Sequence, residues 1–232
     1  MIEMGTQHDR LKKGLPTEWQ VKPLGDLASF RTGPFGSALH KSDYVVGGIP
    51  LVNPMHIING SIVPTPEMTV NSKTARRLSE YALQEGDIVI ARRGEMGRCA
   101  VVGSEEAGWL CGTGSLIIRP GDHAVSGLLQ RILASSQMVA EIENASVGST
   151  MVNLNQGILE RLELQTPPLP EQRAIAEALS DVDALIERLD ALIAKKRAVK
   201  TATMQRLLTG QQRLPGFDGA WETRRLGEVF DL

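Results

Sequence analysis

One stretch constrains this chain more than any other. Residues 167–210 read PPLPEQRAIAEALSDVDALIERLDALIAKKRAVKTATMQRLLTG. Ile175, Leu179, Val182, Ile186, Leu189 and Ile193 follow in steps of 4, 3, 4, 3 and 4, the a/d seam of a coiled coil. Leu185, Leu192 and Val199 repeat every seven residues beside that seam and widen the apolar face. Pro170 suits the first helical turn, where its missing N–H costs nothing. Gly210 suits the left-handed position just past the end. About 38 residues at ~1.5 Å rise predict a rod of roughly 57 Å. A rod with so wide an apolar stripe needs a second helix along most of its length.

Its charges are divided. Residues 171–190 carry six acids (Glu171, Glu177, Asp181, Asp183, Glu187, Asp190) and two bases (Arg173, Arg188). Residues 195–206 carry five bases (Lys195, Lys196, Arg197, Lys200, Arg206) and no acid. A second copy laid antiparallel would set acidic half against basic half. The same asymmetry suits the helix dipole, and the two accounts are compatible.

With 232 residues, the chain has room for one domain of about 150 residues and an appendage. No run of about 18 apolar residues is present, so no membrane span is expected. The first residues, MIEMGTQHDRLKKG, do not have the build of a secretory signal. Cys99 and Cys111 stand alone, so neither a disulfide framework nor a zinc site is indicated, and a reducing cytoplasm is the expected location. A net charge of −2 argues against a generic polyanion binder. Locally, residues 31–98 hold eight bases against six acids and residues 99–170 hold three against seven, so the first part could present a basic face.

The chain also repeats itself. Trp19 and Trp221 are each followed five residues on by Leu-Gly-acid, as Leu24-Gly25-Asp26 and Leu226-Gly227-Glu228, and each is preceded by Leu-Pro. The offset is 202 residues. The repeat divides the chain into a loose N-terminus (1–14), a globular domain (15–166), a long-helix spacer (167–210) and the start of a second unit (211–232). Within the globular domain, strands are expected at 49–53, 86–91, 99–102, 115–119 and 161–164, and helices at 73–83 and 126–143. Strands that alternate irregularly with helices predict an α+β domain, followed by the coiled-coil-forming helix.

Catalytic signatures are absent. Asn53-Pro54-Met55-His56 lacks the second proline and the aromatic of the amino-methyltransferase motif and reads as a turn after a strand. Gly112-Thr113-Gly114 and Gly33-Pro34-Phe35-Gly36 lack the spacing of a nucleotide fingerprint. His8, His40, His56 and His123 are scattered, so no metal ligand set is expected.

Four pieces together carry a resemblance: the Trp19…Leu24-Gly25-Asp26 opening, the run from Leu83 to Gly94 (LQEGDIVIARRG), the junction Asn155-Gln156…Pro167-Pro168-Leu169-Pro170-Glu171-Gln172-Arg173, and the helix ending Leu207-Leu208-Thr209-Gly210. The chain resembles the specificity subunit of type I restriction-modification systems. That resemblance implies two target-recognition domains, each followed by a helix, with the helices paired antiparallel and each domain reading half of a split site on double-stranded DNA. It implies a non-catalytic subunit. S-adenosylmethionine and adenine methylation belong to modification subunits, ATP-driven cleavage to the restriction subunit, and no cofactor to this chain. Here one domain, one helix and a stub are present, as in a truncated or half-length subunit or a fragment of a longer protein, and an antiparallel homodimer through Ile175, Leu179, Val182, Ile186, Leu189 and Ile193 is the expected way to restore the two-fold arrangement. The alternative is a coiled-coil scaffold or inactive fragment without DNA recognition of its own.

Phosphate contacts want Lys and Arg, and base reading wants polar tips on rigid elements. Arg92 and Arg93, on a Gly-rich turn between strands, are the first DNA-binding candidates. Arg31, Ser37 and Lys41 flank another Gly-rich loop. Lys73, Arg76 and Arg77 stripe a short helix, and Ser149 and Thr150 sit in a small-residue loop.

Overall fold

The computed structural model describes residues 14–35, 38–145 and 153–229. They fall into two compact units, 1–177 and 178–232.

In chain order, the first unit begins with β1 (Gln20–Pro23), a 3-10 turn at Leu24–Asp26, and β2 (Ala28–Thr32). Short strands follow: β3 (Tyr44–Val45), β4 (Ile49–Val52), β5 (Ile57–Ile58), β6 (Ser61–Ile62) and β7 (Thr69–Val70). Then come α1 (Ser72–Arg77), β8 (Ile88–Ala91), β9 (Cys99–Val101), β10 (Leu110–Cys111) and β11 (Ser115–Pro120). Helices α2 (Ser126–Ala134), α3 (Ser136–Ala145) and α4 (Gln156–Arg161), then β12 (Glu163–Thr166), lead into α5 (Leu169–Leu208). The mixed α+β class expected from the sequence is the class observed.

The central sheet runs β2–β11–β8–β9, antiparallel throughout. Both of its faces are covered, which is why β8 and β11 are rich in consecutive aliphatic residues rather than alternating polar ones. Ile88, Ile90, Leu116 and Ile118 face the helical layer, where they pack with Leu129 and Leu133 of α2, Ile142 of α3 and Leu159 of α4. Val89, Ala100 and Ile117 face the opposite way, onto Val52, Ile57 and Cys111. A second sheet, β10–β4–β7–β3, sits behind that layer, with β10 parallel to β4. Its far side packs Leu51, Val70 and Leu110 on Leu78. Both cysteines are free and buried, one in each of the first two layers, and burial pushes the Cys99 thiol up to about 12.

Two helices differ from their expected form. The stretch 126–143 breaks into α2 and α3 because Ser135 adopts extended backbone (φ −67, ψ 146). Its Oγ accepts from the Met138 N–H at 3.3 Å, so a side-chain cap starts a second helix where the apolar pattern alone runs on. The stretch 73–83 is helical only through Arg77. It turns at buried Leu78 and continues as a 3-10 turn, Ser79–Tyr81.

The start of the chain folds against its end. β1 pairs antiparallel with β12, from Gln20 opposite Thr166 to Pro23 opposite Glu163. Leu24 is fully buried, and its N–H donates to the Leu162 carbonyl at 2.7 Å. A Cβ on Gly25 would stand 3.1 Å from the Glu160 carbonyl oxygen, so glycine permits this close approach.

α5 is one helix of 40 residues, about 60 Å long. Gly210 follows it at φ +75, the left-handed position required there. Leu179, Val182, Ile186, Leu189 and Ile193 of the seam are between 41% and 52% exposed in the single chain, and Leu185, Leu192 and Val199 are similarly bare. The tail after the helix is described from 211 to 229, with a 3-10 turn at Leu226–Glu228.

Candidate nucleic-acid interface

Turns from distant parts of the sequence meet at the ends of the two sheets. Gly33, just after β2, donates its N–H to the Ser115 carbonyl at 3.1 Å. A Cβ on Gly33 would lie 2.0 Å from the Gly112 carbonyl oxygen, so the two backbones approach as only glycine allows. The Gly112 N–H donates to the Val52 carbonyl at 2.9 Å, and the Gly114 N–H reaches Asn53 Oδ1 at 3.5 Å. The Arg92 N–H donates to the Gly114 carbonyl at 2.9 Å. Arg98 donates to the Pro54 carbonyl at 3.3 Å and pairs with Glu95. The segments the sequence treats as an unremarkable turn (Asn53–His56) and a failed fingerprint (Gly112–Gly114) therefore join the arginine turn in one cluster.

The two arginines of that turn have different surroundings. Arg92 is half-buried. Its Nε donates to the Leu154 carbonyl at 3.1 Å, its guanidinium reaches Asn153 Oδ1 at 3.4 Å, and its own carbonyl accepts from the Leu154 N–H at 2.9 Å. It ties the turn to the chain entering α4. Burial, and then the neighbouring Arg93 charge, lower its pKa from the ordinary arginine value. Arg93 is exposed and has no side-chain partner among the described residues. The turn thus presents one held arginine and one exposed arginine.

A second basic group surrounds α1. Asn71 caps this helix by accepting from the Thr74 N–H at 2.9 Å. Arg77 donates to Asp43 Oδ1 at 2.9 Å and to the Ala38 carbonyl at 2.6 Å, joining α1 to the 3-10 turn Lys41–Asp43. The His40 N–H holds the Asp43 carboxyl below its usual range against the opposing effect of desolvation, and Arg77 and Thr74 add to the lowering. Lys41, Lys73 and Arg76 are exposed and without a side-chain partner among the described residues. Arg31, two residues before Gly33, pairs with Glu80 at 2.8 Å. Both side chains are more than half exposed, so that pair contributes at most about 1 kcal/mol and can yield to a phosphate. Ser37, Ser149 and Thr150 lie outside the described residues.

The face beyond the turn differs in charge. A cavity of about 620 Å³ opens between the β5–β6 hairpin and the α2–α3 helices, lined by Glu95 and Glu143 as well as Arg98. The two carboxylates, with Arg98 already paired to Glu95, make it a poor phosphate site. Arg93, Lys41, Lys73 and Arg76 are exposed and do not line this cavity.

The sequence marks the cations by charge and gives no such mark to the turns that meet beside Arg92. Asn53, Pro54, Gly112, Gly114 and Asn153 carry no charge signal. Their one trace in the sequence is that each lies in a turn of small or polar residues next to a strand or helix.

The mixed α+β architecture fixes the fold class, and comparison with known proteins supplies the family. The model of the type I restriction modification DNA specificity domain matches residues 16–195, most of the chain. The chain belongs to that family. It is 27% identical over 175 residues to the type I restriction enzyme MjaIX specificity subunit of Methanocaldococcus jannaschii, covering 75% of this chain and 40% of that protein. It is 26% identical over 187 residues to the EcoKI specificity subunit of Escherichia coli, covering 78% of this chain and 39% of that one. In fold it is similar to the HsdS subunit from Thermoanaerobacter tengcongensis, with a TM-score of 0.57 at 20% identity over 86% of this chain and 48% of that one. The chain thus spans about two fifths of the length of these curated relatives.

Proposed function

We propose that this chain reads one half of a bipartite site on double-stranded DNA and is the non-catalytic specificity component of a type I restriction-modification assembly. The observation that carries this is the convergence of the Gly33, Asn53, Arg92–Arg98 and Gly112–Gly114 turns, beside exposed cations, in a chain of the specificity family. Arg93 is the base-reading candidate, because a rigid turn on the central sheet aims it while Arg92 holds the turn. Lys41, Lys73, Arg76 and Arg31 suit phosphates. Modification subunits bring S-adenosylmethionine and the restriction subunit brings ATP chemistry, in the cytoplasm. A second copy pairs antiparallel along the α5 seam, so the target is a two-fold symmetric split site.

Selection from random duplex DNA tests the reading. The wild-type chain should enrich two inverted half-sites. Arg93→Ala should lose about 1–3 kcal/mol of discrimination at one base position of each half. Lys73→Ala should weaken all sequences alike and lower the salt slope by about one. Enrichment of no motif by the wild-type chain, in the presence of modification subunits, would refute the reading.

A further inference from the structure

Gln172 lies in the first turn of α5, within the unit that holds the recognition domain. It is 4% exposed. Its side-chain amide makes three hydrogen bonds. Oε1 accepts from the Val125 N–H at 2.9 Å, and Nε2 donates to the His123 carbonyl at 3.1 Å and the Pro167 carbonyl at 2.9 Å. The partners are backbone groups of the segment that starts α2 and of the segment that enters α5. One turn later Ala176 is buried, and a Cβ on Gly127 would sit 3.6 Å from the Ala176 Cβ, so α2 and the second turn of α5 nearly touch. Beside Gln172, Glu171 accepts from Trp19 Nε1 at 3.1 Å and adds the segment before β1.

This is an expensive way to fill space. A leucine of similar volume would bury without any amide to satisfy. A buried amide stabilises only when all its partners are in place, and it then fixes one geometry rather than many. We propose that Gln172, assisted by Trp19 and Glu171, is a positioning residue: it locks the first turn of α5 onto the recognition domain in one orientation, and so sets which spacing between half-sites the paired chains accept. The proposal rests on the DNA-reading function above for its consequence, but not for the lock itself.

The test has two arms. In the first, random duplex DNA is selected with the full chain and with Gln172→Leu and Trp19→Phe. The wild type recovers half-sites at one spacing. Gln172→Leu retains the base preference of each half-site and recovers several spacings, and Trp19→Phe does so to a smaller degree. A single unchanged spacing in Gln172→Leu overturns the proposal. So does loss of base preference together with spacing, which marks a residue that merely holds the fold.

The second arm needs no DNA. Nitroxides on Glu105→Cys and Lys196→Cys report the distance from the recognition domain to the later part of α5, in chains diluted with unlabelled protein. Cys99 and Cys111 are buried and stay unlabelled. Gln172→Leu broadens the distance distribution relative to the wild type. An equally narrow distribution overturns the lock, whatever the DNA selection returns. A wild-type selection that yields no split motif refutes the DNA reading alone and leaves this arm to decide the lock.

Discussion

Leu-Gly-acid occurs twice in this chain and folds the same way twice. Leu24–Asp26 and Leu226–Glu228 are both 3-10 turns. The residue before each is extended (Pro23, φ −64, ψ 143; Arg225, φ −74, ψ 145), and the residue after each turns back alike (Leu27, φ −107, ψ −23; Val229, φ −111, ψ −23). Their surroundings are opposite. Leu24 is fully buried under α4 and β12, whereas Leu226 is 71% exposed. Gly25 is pressed against Glu160, whereas Gly227 has no atom within 4 Å of where its Cβ would be. Trp19 is bonded to Glu171, while Trp221 has the Arg213 guanidinium 5.6 Å from its ring centroid and Gly210 against its face. Local sequence therefore suffices for the shape of the turn, and a tertiary partner is what turns shape into stability.

The same contrast separates the two units. The recognition domain buries its aliphatic residues in three layers, whereas the seam of α5 leaves its own half-exposed. The buried regions report what holds the domain together. The bare ones form the surface on which pairing is proposed.

Substitutions paired across the repeat should separate these roles. Leu24→Ala removes a fully buried side chain and should cost about 3 kcal/mol in denaturant unfolding. Leu226→Ala should leave unfolding of the domain unchanged within about 0.5 kcal/mol. Equal costs would mean that the second copy has found a partner as good as the first. Gly25→Ala should cost about 1 kcal/mol, since the Glu160 backbone must give way. Gly227→Ala should be neutral or slightly stabilising.

A smaller effect concerns pH. His56 is 1% exposed; Nδ1 accepts from the Asn53 N–H at 3.1 Å, and Nε2 lies 3.3 Å from Thr65 Oγ1. Burial holds its pKa below the ordinary value of 6.5. A depressed folded-state pKa means that the unfolded chain takes the proton more readily. The stability that neutral His56 contributes is fully present above 6.5 and falls as pH drops below it through the lower folded value. Unfolding measured between pH 7.5 and about 5 should show that decline, and His56→Asn should flatten it. Burial of the His56 ring is what produces the slope.

How much of this was legible in the sequence follows the same division. The long helix was readable because its seam, its first-turn proline and its terminal Gly210 are all local signals. The α+β class and several strands were readable from apolar runs such as Ile88–Ala91. The break at Ser135 was not, because one hydroxyl outcompetes a periodicity that continues across it. Nor was the gathering of the site, since Arg92 meets Leu154 across 62 residues and Gly33 meets Ser115 through backbone contacts that leave no periodic trace. Charge marked Arg92 and Arg93 together, and only packing distinguishes the arginine that holds the turn from the exposed one.

The central proposal is that the bare seam of α5 is the surface on which two copies meet. Light scattering across a range of concentrations tests it most directly, on the wild-type chain and on Leu189→Lys. The account predicts a wild-type mass near twice the 25.2 kDa of one chain, falling to that of one chain in the variant, with the domain still folded. A wild type that stays at the single-chain mass at tens of micromolar, or a dimer indifferent to a lysine at position 189, would contradict it.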